Sequence, residues 1–315
     1  MPTEQAPSSS AAGTVLGVGI ATVDVVNQVA AYPPEDAEIR AIGQQIVRGG
    51  NCANSLVVLA QLGRQCRWIG TLAADAGAEL IFADLARYGI DTQYAVRCPQ
   101  GATPTSYIAV SQETGSRTII HHRDLPELDA ASFASVPIRD CIWAHFEGRN
   151  PTETATMVRR AREVIPDLTI SIEIEKPRPN LAALLNAAAD VASGPVVLIF
   201  SRAYAEAVDA TDPVSFIDAQ SKRSSTWLCV LPWGADGAYL AQAGTDPVYL
   251  PASPVGAVVD TLAAGDVFNA GLIDGLLDGH DPLTAVARAN RIAGYKCGRL
   301  GLDHLIADAR RDGAI

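Results

Sequence analysis

Positive charge is scarce in this sequence of 315 residues. It contains 24 Lys and Arg against 35 Asp and Glu, a formal net charge of −11 at pH 7. This balance disfavours binding to nucleic acid, whose phosphates require basic surfaces. It does not exclude a nucleotide, because a small anionic ligand needs only a local positive site. Long apolar runs are also missing: none reaches the roughly 18 residues of a membrane span, so we expect no membrane partner.

Residues that commonly bind metals or form disulfides are few and follow no known spacing. The six Cys show no Cys-x-x-Cys pattern and no secretory signal precedes them, which predicts reduced thiols and a cytoplasmic location. Of the five His, only His121 and His122 are neighbours, and adjacent side chains of a strand point to opposite faces. The sequence therefore predicts no histidine metal site.

Two common nucleotide-binding motifs are incomplete or absent. Gly17-x-Gly19 lies in a predicted first strand, but Thr22 stands where a dinucleotide-binding motif has its third glycine. The sequence Gly-x-x-x-x-Gly-Lys-Ser/Thr does not occur, which disfavours a P-loop kinase.

The order of apolar segments predicts an α/β protein. Strand and helix patterns alternate through residues 13–22, 48–99 and 123–312, which we expect to form a nucleotide- and sugar-binding core. Residues 23–47 and 100–122 are β-rich segments that interrupt this alternation, and we expect them to form a small sheet that covers the site as a lid. Residues 1–12, rich in Ser, Ala and Pro, are predicted to be a disordered tail.

The most informative stretch runs from Val255 to Gly271. The apolar residues from Val255 to Val259 predict a buried strand, the small residues that follow predict a turn, and a helical pattern begins at Asp266. Such a turn directs unpaired backbone N–H groups and the positive end of a helix at one point, which suits an anion. Asp266 is then either an ordinary first-turn acid or a base that faces a phosphate.

A second polar cluster follows a glycine pair. Gly50 and its preceding glycine would allow another molecule to approach the backbone closely. Asn51 and Asn54 are three residues apart and share one face of the next helix, where their amides could bind sugar hydroxyls. Asn51 could equally be a helix N-cap. Asp24, just past the first strand, is either a ligand-binding residue or a turn acid.

Acidic and basic residues near other strand ends leave alternatives open. Glu147 and Glu173 could organise water around Mg²⁺, or they could pair with Arg149 and Lys176. Arg117, at the base of a predicted hairpin, could reach a nucleotide phosphate or remain a solvated strand residue.

Two of these stretches together resemble a known family. Asp260-Thr-Leu-Ala-Ala-Gly-Asp266-Val-Phe268 and Gly49-Gly-Asn-x-x-Asn54 resemble the C-terminal and N-terminal signatures of the PfkB (ribokinase-like) carbohydrate kinases. The resemblance implies a three-layer α/β/α sandwich with a mostly parallel central sheet and a small β-sheet lid. Ala263 stands where the family usually has Gly, which costs about 1 kcal/mol or more if that position requires a positive φ.

The family resemblance also implies a chemistry, ATP-dependent phosphorylation of a sugar. Asp266 would take the proton of the sugar hydroxyl as it attacks the γ-phosphate, and the backbone N–H groups of Ala263, Ala264, Gly265 and Asp266 would hold the transferred phosphoryl. Mg²⁺ would be held through water near Glu147 and Glu173, and K⁺ would lie near the same loop. The implied sugar-binding residues are Asp24, Asp36, Gly50, Asn51, Asn54 and Lys176, and the implied nucleotide-binding residues are Arg117, Gly234, Asp236, Gly237, Thr261, Gly265, Asn290 and Ala293.

Inner segments narrow the resemblance. Phe146-Glu-Gly-Arg-Asn150, Ile172-Glu-Ile-Glu-Lys-Pro-Arg178 and Lys296-Cys-Gly298 are similar to the ketohexokinase (fructokinase) branch of the family. That branch implies fructose as the substrate, phosphorylated at its primary 1-hydroxyl, and a homodimer formed through the lid in which Asp36 contacts the sugar of the partner. The alternatives are a sibling kinase for 2-keto-3-deoxygluconate, ribose or a fructosamine, and a non-catalytic sugar- or nucleotide-binding homologue.

Overall fold

Strands and helices alternate along the chain in the computed structural model, which describes residues 13–190, 194–225, 227–254 and 256–315. The predicted tail over residues 1–12 lies outside these ranges. The strands are β1 Thr14–Val18, β2 Thr22–Val29, β3 Gly43–Gly49, β4 Gln65–Ile69, β5 Thr71–Ala73, β6 Val96–Cys98, β7 Thr105–Ser111, β8 Arg117–His122, β9 Cys141–Glu147, β10 Thr169–Ile174, β11 Val196–Phe200, β12 Trp227–Pro232, β13 Ala238–Gln242 and β14 Val248–Leu250. The helices are α1 Asn51–Leu62, α2 Ala76–Arg87, α3 Ala130–Ala134, α4 Pro151–Val164, α5 Leu181–Asp190, α6 Arg202–Ala207, α7 Pro213–Ser221, α8 Ala264–Leu277, α9 Pro282–Cys297 and α10 Leu305–Arg311.

The central sheet has eight strands in the order β14-β13-β12-β11-β10-β9-β1-β4. The neighbours from β12 to β4 pair in parallel, and β13 and β14 add an antiparallel edge. The mostly parallel sheet predicted from the sequence is therefore confirmed. Parallel strands place their carboxyl ends at one edge, which is where open α/β sheets bind ligands.

Alternating side chains of the central strands supply two separate apolar layers. In β1, Val15 packs with residues of α1, α8 and α9, whereas Leu16 packs with residues of α4 and α5. The three isoleucines of β10 all belong to the second layer. Both faces of the sheet are thus covered by helices, as an α/β/α sandwich requires. None of the described helices is both long and apolar enough to cross a bilayer.

A separate four-stranded sheet has the order β3-β2-β7-β8 and is called the small sheet below. It consists of strands from the two β-rich segments that interrupt the core pattern. Strand β2 pairs antiparallel with β3 and parallel with β7, and β8 adds to β7 as a hairpin. Its role as a lid stays a prediction.

The predicted strand from Val255 to Val259 is wrong for the residues that are described. Val255 lies outside them, and residues 256–259 form no strand, with Val258 and Val259 65% and 50% exposed. The backbone N–H of Val259 bonds instead to the carbonyl of Cys297, 2.7 Å away at the end of α9. The segment thus lies along a helix end, where its β-branched side chains are not buried by a neighbouring strand.

Candidate active site

The turn before α8 has the geometry of an anion site. Ala263 is the N-cap residue, with φ 63° and ψ 9°, so this position does require a left-handed backbone. The N–H groups of Ala263, Gly265 and Asp266 have no acceptor among the described residues, whereas the N–H of Ala264 donates to the carbonyl of Thr261 at 3.3 Å. Three of the four expected donors are therefore available to an anion, and Ala264 is not one of them.

Asp266 is buried at this helix start, with only 6% of its surface exposed. Its Oδ2 accepts a hydrogen bond from Nδ2 of Asn54 at 2.6 Å, and Oδ1 receives none from the described residues. Burial raises the pKa of Asp266 to about 7, against the opposing effects of the Asn54 hydrogen bond and the positive charge of Arg48. A carboxyl group with a pKa near neutrality can exchange a proton readily under physiological conditions.

The glycine pair before α1 serves the chain itself. A Cβ on Gly49 would collide with the carboxylate of Asp24, and a Cβ on Gly50 would lie 2.6 Å from the carbonyl oxygen of Ile20. Gly50 also has φ 97°. Groups of this chain thus already require glycine at both positions, and approach of another molecule to Gly50 stays a prediction.

Asp24 is a buried carboxylate at the start of the small sheet. It is 7% exposed and accepts a hydrogen bond on Oδ1 from Thr22 at 2.7 Å. Burial raises its pKa, while hydrogen bonds from Thr22 and Ser106 lower it. Asp24 thus has the polar support that a ligand-binding acid needs, although sugar binding at Asp24 stays a prediction.

Glu147 and Glu173 lie at the carboxyl ends of neighbouring strands. Glu147 accepts a hydrogen bond from the backbone N–H of Ile20, and Glu173 Oε1 accepts one from Asn51 at 3.2 Å. Burial raises the pKa of Glu147 to about 8 and that of Glu173 well above its usual range. The other oxygen of Glu173, Oε2, is buried without a hydrogen-bond partner among the described residues.

These two glutamates fit a hydrated cation better than a directly coordinated one. No group of three or more His, Cys, Asp or Glu among the described residues is arranged to hold a metal. The unpaired oxygen of Glu173 could accept a hydrogen bond from a water of hydrated Mg²⁺. The ion pairs that form are Arg149 with Glu127 and Lys176 with Glu175, each at 3.0 Å, but the charge of Arg149 also acts on Glu147 and lowers its pKa.

Two basic side chains hold the loop that precedes Ala263. Arg117 of β8 donates to the hydroxyl of Thr261, so the small sheet reaches this loop directly. The ammonium of Lys296 is completely buried and lies 2.9 Å from the carbonyl oxygen and 2.5 Å from Oδ2 of Asp260. The charge of Lys296 is offset by the carboxylate of Asp260, so Arg117 supplies the net positive charge at the turn.

The predicted nucleotide side is formed by a tight turn and the last long helix. Gly234–Asp236 is a single 3₁₀ turn, and Gly237 has φ 106° in close contact with the backbone of Leu250. Asn290 donates to the carbonyl of Pro251 at 3.1 Å. Ala293 is half-buried on the same helix. These positions are compatible with a nucleotide, but their nucleotide contacts stay predictions.

Two predicted sugar ligands, Asp36 and Lys176, are exposed in the single chain, and their sugar contacts stay predictions. Asp36 is exposed, has φ 62°, and makes no hydrogen bond or ion pair with the described residues. The side chain of Lys176 is 60% exposed. The sequence also did not indicate that Arg48 would act on Asp266 or that Ser106 would donate a hydrogen bond to Asp24. The one available signal was position, since Arg48 directly precedes the glycine pair.

The comparisons with known proteins agree with this geometry. The model for the pfkB family of carbohydrate kinases matches residues 14–132 and 203–308. The chain belongs to this family. Its members are carbohydrate kinases, and the chain is therefore an enzyme of that class.

Individual relatives show the range of sugars within the pfkB family. Ketohexokinase of Mus musculus is 34% identical over 302 residues, which cover 93% of this chain and 98% of that relative. A 2-dehydro-3-deoxygluconokinase of Bacillus subtilis is 28% identical and covers 74% of this chain and 75% of its own length. A fructokinase from Xylella fastidiosa, solved with bound ATP, superposes with a TM-score of 0.71 at 19% identity and covers 95% of this chain and 99% of its own. This superposition confirms the ribokinase-like fold.

Replacing Ala263 by glycine should stabilise the protein. Because Cβ is unfavourable at φ 63°, Ala263→Gly is expected to raise the free energy of unfolding by about 1 kcal/mol, measured by chemical denaturation. Ala264→Gly is the matched control, since residue 264 is the first helical residue of α8. That substitution should lower stability slightly. Loss of stability in Ala263→Gly would contradict the proposed backbone strain.

Removing the charge of Asp266 should stabilise the protein in a pH-dependent way. The pKa of Asp266 is raised to about 7 in the folded chain, so its contribution to stability is complete below its unfolded pKa and is lost as pH rises through 7. The free energy of unfolding of Asp266→Asn should therefore rise relative to that of the wild type between pH 4 and 7, by about 2 to 4 kcal/mol. Above that range the difference should stay constant.

The control for this titration is an acid whose pKa moves the other way. Hydrogen bonds from Thr284 lower the pKa of Asp281, so its contribution is present above its unfolded pKa and lost as pH falls. Asp281→Asn should have a lower free energy of unfolding than the wild type at neutral pH, and this difference should shrink towards acid pH. A pH-independent difference for Asp266→Asn, measured by denaturation at several pH values, would remove the assignment.

Proposed function

We propose that this enzyme transfers the γ-phosphate of ATP to the primary 1-hydroxyl of fructose in the cytoplasm. The observation that carries the proposal is the arrangement at α8, where the free Oδ1 of Asp266 lies beside the unpaired N–H groups of the preceding turn. A base next to an anion site is what transfer of a phosphoryl group to a hydroxyl requires. Binding of a sugar alone would need no such base.

The residues of the chain take separate parts in this reaction. Oδ1 of Asp266 accepts the proton of the sugar hydroxyl as that oxygen attacks the γ-phosphate. The N–H groups of Ala263, Gly265 and Asp266, at the positive end of α8, stabilise the charge on the transferred phosphoryl. Arg117 adds positive charge at Thr261 on the same loop.

The sugar would be held by the buried polar side chains next to this base. Asp24, Asn51 and Asn54 surround the start of α1, and each is supported by at least one hydrogen bond within the chain. We propose fructose over other sugars because the mouse relative with 34% identity is a ketohexokinase. A 2-keto-3-deoxygluconate kinase is the main competing outcome of the test.

The metal ions of the proposal differ in their fit to the chain. Mg²⁺, when bound, would neutralise charge on the phosphates, and Glu147 and Glu173 would hold it through water. K⁺ near the turn would need oxygens other than the carbonyl and Oδ2 of Asp260, because Lys296 already engages both. Dependence on K⁺ is therefore included in the test.

The small sheet supplies a surface for a homodimer. Val25, Ile46, Tyr107 and Ile120 are directly opposite one another in register, so they form one row on one face. The last three are 54%, 52% and 66% exposed. Exposed apolar rows of this kind mark protein interfaces. Asp36, exposed and without a partner in its own chain, would then reach the sugar of the other subunit.

A substrate panel tests the reaction directly. ADP release should depend on fructose among fructose, tagatose, ribose, 2-keto-3-deoxygluconate, adenosine and no sugar, with Mg-ATP present and with or without K⁺. Asp266→Asn should lower turnover by about 100-fold or more while ATP still binds. Asp278→Asn, at the other end of α8, is the control and should keep turnover.

Each outcome of the panel has a separate meaning. Phosphorus NMR of the product identifies the hydroxyl that was phosphorylated. Release with another sugar would replace fructose and keep the mechanism. Near-normal turnover in Asp266→Asn would remove the assigned base.

Mixing two variants tests whether the site is shared between subunits. Asp36→Ala should raise the KM for the sugar but not for ATP, and Asp266→Asn should be inactive. Subunit exchange between them should restore a low sugar KM, because one site of the mixed dimer then has both Asp36 and Asp266. Ile120→Asp should abolish the recovery and give monomers in sedimentation. Absence of recovery between variants that do exchange subunits would contradict the shared site.

A further inference from the structure

Arg48 is a buried cation that links the small sheet to the core. It lies on β3 and is only 9% exposed. Its Nε donates to Oδ2 of Asp84 on α2 at 2.6 Å, and its Nη1 donates to Oδ1 of Asn54 on α1 at 2.5 Å. One guanidinium thus bridges two helices of the core from a strand of the small sheet.

The contact with Arg48 decides which end of the Asn54 amide faces the base. An asparagine amide has an accepting oxygen and a donating nitrogen, whereas arginine can only donate. Arg48 therefore requires Oδ1 of Asn54 on its side, which leaves Nδ2 to face Asp266 at 2.6 Å. Without the guanidinium, only the Asp266 carboxylate selects this orientation, and once Asp266 is protonated its O–H could instead donate to Oδ1 of a turned amide.

The orientation of Asn54 in turn distinguishes the two oxygens of Asp266. Oδ2 is held by Nδ2 of Asn54, and Oδ1 has no hydrogen bond from the described residues. Only Oδ1 is then free to take a proton. An amide turned the other way would remove the donor from Oδ2 and leave the buried carboxylate without its side-chain hydrogen bond.

We propose that Arg48 is a positioning residue for phosphoryl transfer, which acts through the amide of Asn54 to fix the oxygen of Asp266 that accepts the proton. This inference rests on the proposed function. Because the backbone of Arg48 belongs to β3, where it pairs with Val23 of β2, the position of the small sheet is coupled to the orientation of the base. Asp84 anchors the guanidinium on the core side.

The kinetic test separates this role from a general loss of structure. Arg48→Gln should lower kcat by about 10- to 100-fold and leave the KM for ATP unchanged. Arg48→Lys should recover little, because an ammonium cannot reproduce the planar fork that contacts Asp84 and Asn54 together. Equal recovery with Lys, or an unchanged kcat in Arg48→Gln, would overturn the proposal.

Arg64 is the matched control. Its side chain is 7% exposed, against 4% for Arg48, and it also binds a buried acid, Asp274 on α8, at 2.7 Å. Asp274, the acid that Arg64 binds, lies far from Asp266 along α8. Arg64→Gln should therefore reduce stability while kcat is retained. A comparable fall of kcat in both variants would mean that the effect of Arg48 is merely structural.

A second measurement needs no substrate and remains valid if the proposed reaction is wrong. Arg48→Gln is combined with Asp266→Asn, and the midpoint of chemical unfolding is measured for both single variants and the double variant. An asparagine at 266 can form a hydrogen bond with either end of the Asn54 amide. Arg48→Gln should therefore lower the midpoint of unfolding less in the Asp266→Asn background than in the wild type. Arg64→Gln should lower it equally in both.

The kinetic test and the unfolding test together distinguish failure of the proposed function from failure of the inference about Arg48. If no sugar of the panel is phosphorylated, the proposed function fails, and the midpoint measurement alone decides whether Arg48 acts on Asp266. Equal midpoint shifts for Arg48→Gln in the two backgrounds would show that the residues are uncoupled and would overturn the inference whatever the substrate is.

Discussion

A carboxylate buried at the positive end of a helix is the interaction on which the site depends. Burial alone would strongly favour the neutral form of Asp266, and a neutral acid could not accept a proton from a hydroxyl. The Asn54 hydrogen bond and the charge of Arg48 oppose that effect, as does the dipole of α8. The balance leaves this group able to hold or release a proton near neutral pH.

The central sheet makes this balance possible by bringing distant segments to one edge. Strands β1, β9 and β10 are neighbours, so their carboxyl ends place Ile20, Glu147 and Glu173 together. Helices α1 and α8 pack on the same face of the sheet, which sets Asn54 next to Asp266 although they are 212 positions apart in the chain. Glutamates and aspartate close together in a dry site repel one another, and this repulsion favours the binding of cationic or proton-donating ligands.

The sequence was sufficient for the architecture and for residues whose role is local. Alternation of strand and helix patterns predicted an α/β protein, the family resemblance implied the sandwich, and Ala263 in place of glycine implied a strained backbone if that position required a positive φ. Features that depend on tertiary partners were not predictable. The valines at 258 and 259 have the composition of a buried strand, but the N–H of Val259 donates to the carbonyl of Cys297 and not to a neighbouring strand. Likewise, nothing local indicates that Arg48 contacts α1 and α2 at once.

The left-handed alanine before α8 has a consequence for the anion site. At φ 63° alanine is less favourable than glycine by about 1 kcal/mol, so the residue itself does not select the backbone that directs the N–H groups of the turn. The surrounding contacts must impose it: Arg117 on Thr261 and Lys296 on Asp260 hold the preceding loop. The donor geometry for the anion is therefore maintained by tertiary structure, and loosening either contact would release the turn from the conformation that receives the nucleotide.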